Sequence, residues 1–163
     1  MRLRFGYLVA GLCVAQFWSA TATANSLAEL NFFEGRWTIK GIETTYTEEC
    51  AWVPGGRFLS CQSEDSSKTP HEFGTSVFGF SESEQVYSYA GFNGSGSTRQ
   101  LRGILEAGIW RFFGQSEHGP EWRRWQVLIT PAETGFHYQE EVSVRGGPWE
   151  KAVTLDYIRT NSR

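Results

Sequence analysis

The sequence predicts an all-β protein, an up-and-down antiparallel barrel of about nine or ten strands with one short capping helix at its N-terminal end. Three observations carry that prediction. Turn-forming clusters stand at Gly55-Gly56, Ser81 to Glu84, Asn93 to Gly96, Ala107-Gly108, His118 to Pro120, Thr134-Gly135 and Gly146 to Pro148. From Ser81 onward they recur every 11 to 16 residues, which suits strands of about eight residues joined by tight hairpins. The runs between them alternate apolar and polar side chains, and no helical period survives beyond residue 33. Consecutive hairpins with one apolar face leave two open edges unless the sheet closes or packs on a second layer. A two-sheet sandwich is the alternative; a Greek key would need a long crossover for which this chain has little room.

Residues 1–24 read as a secretory signal peptide. Arg2 and Arg4 supply the basic start, an apolar run extends from Tyr7 to Trp18, and Ala22-Thr23-Ala24 gives a small-x-small cleavage pattern. Cys13 follows a bulky Leu12 in the middle of that run, which argues against lipidation. Residues 25–163 then form a single domain, long enough to bury a core. The formal charge of the chain is −3 and becomes −5 once the two leader arginines are removed. That balance argues against a nucleic-acid partner. No apolar stretch outside the leader approaches the roughly 20 residues of a membrane helix. The expected location is therefore the periplasm or the exterior, with no stable membrane span after cleavage and with the oligomeric state unspecified.

The first element after the leader is the helix, expected over about 26–33. Ser26 and Glu29 have capping-box spacing, and Leu27, Leu30 and Phe33 recur on one face. Trp37, Ile39 and Gly41 alternate onto one face of the first strand. Cys50 and Cys61 bracket a hairpin tip at Pro54-Gly55-Gly56-Arg57. Because Pro54 has no N–H to donate, the better loop is the four residues 54–57, closed by a hydrogen-bonded Val53–Phe58 pair. Counting back places Cys50 opposite Cys61 at a non-hydrogen-bonded site, where side chains approach closely enough for a disulfide. Once the leader with Cys13 is removed two cysteines remain, and an even count in an oxidising compartment supports the same pairing, a structural staple contributing about 2–3 kcal/mol. Metal or redox chemistry would need tighter Cys/His spacing. The stretch from Glu64 to Pro70 is the longest loop candidate. Later strands place Trp125, Val127 and Ile129 on one face, as they do Phe136, Tyr138 and Val142, and Val153, Leu155 and Tyr157.

The opening, a helix with Phe32-Phe33 followed by Gly35-Arg36-Trp37, resembles that of calycin barrels, the lipocalins and fatty-acid-binding proteins. Leu30 to Trp37, the hairpin from Cys50 to Cys61 and the ending Trp149 to Arg159 together resemble one secreted bacterial family of unknown function in that lipocalin-like group. The resemblance implies a barrel whose Trp37, beside Gly35, closes the base against the preceding segment. It implies no activity. Nitrobindin-like haem barrels are neighbours, but Thr38-Ile39-Lys40-Gly41 does not match their glycine-rich segment.

A barrel that leaves an internal cavity would offer an apolar pocket with a few polar anchors. The candidate lining is Arg123 and Trp125 on one strand, Tyr138 and Glu140 on the next, and Tyr157 and Arg159 on the last. Arginine on a late strand could clamp a carboxylate; the competing reading makes Arg159 a solvated rim charge. His71, His118 and His137 are scattered, with no metal-binding spacing, and His137 points opposite to Phe136 and Tyr138. The sequence thus predicts no catalytic residue, no metal site and no cofactor, and a barrel that binds a small apolar or amphipathic molecule, a carboxylate among the candidates. Two alternatives stand beside it: a cofactor-independent acid/base enzyme using Tyr138, Glu140, Tyr157 and Arg159, and a packed structural or protein-interaction module.

Overall fold

A computed structural model describes residues 25–116 and 122–160. The proposed leader, with Cys13, and the His118-Gly119-Pro120 turn lie outside the described residues. Ten antiparallel strands close into a barrel: β1 (Gly35–Ile39), β2 (Tyr46–Trp52), β3 (Phe58–Asp65), β4 (Glu72–Ser81), β5 (Val86–Asn93), β6 (Thr98–Glu106), β7 (Ile109–Ser116), β8 (Arg123–Ala132), β9 (Gly135–Val144) and β10 (Glu150–Thr160). Each strand pairs with its neighbours in sequence, and β1 seals the sheet against β10 from Arg36↔Thr160 to Ile39↔Tyr157. Closure removes both edges, so the sandwich alternative is excluded. No helix among the described residues is long and apolar enough to cross a membrane.

Most of the described strand boundaries fall where the turn chemistry places them, and Ala107 and Gly108 both adopt positive φ at the β6–β7 tip. The β2–β3 hairpin has the expected register: Val53 N–H donates to the Phe58 carbonyl at 2.9 Å, and Cys50 stands opposite Cys61. The two cysteines are disulfide-bonded across a Cα separation of 3.9 Å.

The N-terminal segment departs from expectation in two ways. It is a 3-10 helix, Leu27–Phe32, and the Ser26 side chain makes no capping bond. Instead the Ser26 N–H donates to the Tyr87 hydroxyl at 3.1 Å, and that hydroxyl donates to the Ser26 carbonyl at 2.9 Å. A tertiary partner has replaced the local cap. The apolar positions 27, 30 and 33 are spaced by three throughout, and three residues per turn aligns them in one stripe. Gly41 also falls outside β1, which ends at Ile39.

The 3-10 helix plugs one pole. Leu30 and Phe33 are buried, and Phe33 packs against Phe78, Trp110 and Phe136 with ring centroids 4.9–6.0 Å apart. Trp37 is buried against Phe136 and donates its indole N–H to the Phe33 carbonyl at 2.8 Å. The Arg159 guanidinium lies 4.4 Å from the Trp37 ring centre and donates to the Phe32 carbonyl at 3.1 Å. Gly35 sits beneath it at φ 119°, where a Cβ would stand 2.8 Å from the guanidinium. At this pole also lie the tips of β2–β3, β4–β5, β6–β7 and β8–β9.

Candidate functional site: a two-chambered barrel interior

Above the aromatic plug the barrel is hollow. A lower chamber of about 90 Å³ is walled chiefly by Phe33, Trp37, Phe78, Leu101, Phe112 and Ile129, and the Cys50–Cys61 disulfide forms part of its side. An upper chamber of about 540 Å³ opens at the opposite pole, beside the ends of β4, β5 and β6. Six residues line both: Glu48, Ser76, Tyr89, Arg99, Tyr138 and Tyr157. They form a polar belt between an apolar floor and a mixed mouth.

Strand alternation builds the belt. On β2, Cys50 faces inward, so Glu48 and Tyr46 do too; on β6, Leu101 brings Arg99; on β9, Phe136 brings Tyr138 and Glu140. Gly91 leaves the space that the Tyr89 hydroxyl occupies, since a Cβ there would lie 2.5 Å from it. Arg99 crosses to Glu140 with Nη1 2.6 Å from Oε2, and the Tyr138 hydroxyl donates to the same oxygen at 2.8 Å. Glu140 is buried; the guanidinium also lies 5.3 Å from the Trp125 ring centre. The second cluster is anchored by Glu48. Tyr46 donates to its Oε2 at 2.9 Å, and the Tyr157 hydroxyl is 3.4 Å from that of Tyr46.

These surroundings determine protonation. Burial pushes the Glu48 carboxyl above its ordinary value, and the Tyr46 hydrogen bond offsets this only in part. Burial, reinforced by neighbouring carboxylates, raises the Tyr46, Tyr89, Tyr138 and Tyr157 phenols. All four therefore remain hydrogen-bond donors at neutral pH. Glu48 also groups with Cys50 and Cys61 within 4.8 Å, but the disulfide leaves no thiolate to bind a metal.

Of the residues singled out from the sequence, Tyr138 and Tyr157 belong to the belt, and Trp125 and Glu140 line the upper chamber. Arg159 does not line either chamber, being engaged at the plugged pole. Arg123, exposed at the start of β8, lines neither chamber as well. Sequence reasoning missed Tyr46, Glu48, Ser76, Tyr89 and Arg99. For Glu48 and Tyr46 the signal was present, because they share parity with a cysteine that must face its partner. His137 points outward against Asp156, and His71 pairs with Glu64 at 2.9 Å on the surface. A larger groove, about 960 Å³, runs along the outer wall past Phe58, Val77, Phe113 and Trp149, but its Glu84 and Arg102 pair with each other.

The fold and cavity define a class, a hollow antiparallel β-barrel with a polar belt. A scan against protein-family models found no match, and a search of curated proteins found none significantly similar.

Proposed function

We propose that this is a secreted or periplasmic binding barrel, related to the calycins, that holds a small apolar or amphipathic molecule in its interior. The observation that carries the reading is the layered cavity: an apolar chamber, a belt of hydroxyl, carboxyl and guanidinium groups, and an open mouth on one axis. Pockets that bind small molecules combine apolar walls with a few convergent polar groups in this way. The disulfide supports an oxidising compartment, and the leader-like residues 1–24 support export. The hollow interior counts against a packed structural module. Native mass spectrometry of protein produced in the periplasm tests the reading. A bound small molecule, released on denaturation, is expected; a protein that carries and takes up none, even from a panel of amphiphiles, would overturn it.

A cofactor-independent acid/base enzyme is the second reading, favoured by one observation. Glu48 is held toward its protonated form beside the Tyr46 hydroxyl, facing space that a substrate could enter. Turnover abolished by Glu48→Gln with binding retained would favour it.

A further inference from the structure

The charges of the belt are unevenly matched. Among the described residues Arg99 is the one cation that lines the chambers, and it is paired with Glu140 at 2.6 Å. Glu48 has no such partner among the described residues: the Tyr46 hydroxyl donates to Oε2, and Oε1 faces the Cys50 Sγ at 3.9 Å. A disulfide sulfur has no proton to give, so Oε1 has no donor there. A carboxylate removed from water without a cation is costly, and a cation delivered beside it recovers much of that cost. Around Glu48 stand the rings of Tyr46, Tyr89 and Tyr157, whose faces attract cations and whose hydroxyl oxygens can accept.

An anionic ligand meets the opposite situation. It would compete with Glu140 for Arg99 and would sit among two carboxylates. A neutral alcohol could hydrogen-bond to the Glu48 carboxyl but gains nothing from its ionisation, whereas an ammonium beside it draws the carboxyl into its charged form. The lower chamber adds a limit on shape. At about 90 Å³ it is smaller than the ~150 Å³ apolar cavity that accommodates benzene, so it can take only a short tail or part of a longer one.

We infer that the ligand is a protonated primary amine with a short linear apolar tail, its ammonium seated on Glu48 and its tail in the lower chamber. This rests on the binding-barrel reading and specifies what that barrel takes. The ammonium supplies three donors to the Glu48 oxygens and the belt hydroxyls, and the tail displaces water from the apolar floor. Acyclic amphiphiles of either other charge type lack one of those two matches.

Calorimetric titration of the disulfide-intact protein with n-hexylamine, n-hexanol and hexanoate at neutral pH tests this with chains of one length and three head groups. Hexylamine should bind tightest, and Glu48→Gln should weaken it by about tenfold or more while leaving hexanol within a factor of about two. The comparison of the three probes on the unaltered protein stands even if the variant folds poorly. Hexanoate or hexanol binding as tightly as hexylamine, or an amine affinity indifferent to Glu48→Gln, would overturn the amine assignment while leaving a binding barrel in place. Failure of all three to bind, together with failure to perturb the intrinsic tryptophan fluorescence, would overturn both.

Discussion

The two poles of this barrel are built from the same strands by opposite chemistry. At the plugged pole Phe33, Trp37, Trp110 and Phe136 pack ring against ring, and polar atoms such as the Trp37 indole N–H are met by nearby backbone. At the open pole tyrosines, carboxylates and a guanidinium face one another across the interior. The change occurs within single strands: β9 runs from Phe136 through Tyr138 to Glu140, and β2 climbs from Cys50 through Glu48 to Tyr46. Ring packing is concentrated below and polar groups above, and a lesion's consequence should depend on its height in the barrel.

Trp37→Ala should have the largest effect, costing about 3–5 kcal/mol for a buried indole in a packed site. Gly35→Val should be similarly disruptive, since it adds a side chain at positive φ against Arg159. Urea denaturation checks both, and an unchanged midpoint would break the assignment of stability to the plug. Arg99→Met strands the buried Glu140 carboxylate and should cost about 3 kcal/mol, most of it restored by adding Glu140→Gln. A double variant as unstable as the single would show that the pair does not act as a unit. Reduction of Cys50–Cys61 should cost about 2–3 kcal/mol and lower the melting temperature. Free thiols in oxidised, exported protein would remove the staple altogether.

Glu48→Gln should act in the other direction. The carboxyl is raised by burial, so the folded state holds a proton more tightly than the unfolded chain, and its contribution falls as pH rises through the raised value. The variant should therefore melt higher than the parent at neutral pH and lose that advantage below the ordinary carboxyl range. Melting curves across that range would reveal any gain that fails to depend on pH. Val153→Ala, at the exposed rim of the upper chamber, should change stability least, by about 0.5 kcal/mol or less.

The comparison also shows where sequence reading works. Turn chemistry and alternation are local, and they gave the strand count, the hairpin register at Cys50–Cys61 and the inward faces of β8, β9 and β10. Alternation assigns a face but no height along the barrel. Tyr138 and Arg159 share inward parity with true cavity residues, yet one sits in the belt and the other against the plug. Arg99 escaped notice because nothing within β6 distinguishes an arginine that lines a cavity from one at a rim.

Strand number to within one, most turn positions, the disulfide pairing and the meander order were determined by the sequence alone, because each depends on residues only a few positions apart. Tertiary structure alone decided that Ser26 would be held by Tyr87, that Arg99 would meet Glu140, and that Tyr46 would lie beside Tyr157. Those partners are 61, 41 and 111 residues apart. Their meeting depends on the stagger and closure of the whole sheet, which joins β1 to β10, and no local pattern specifies that geometry.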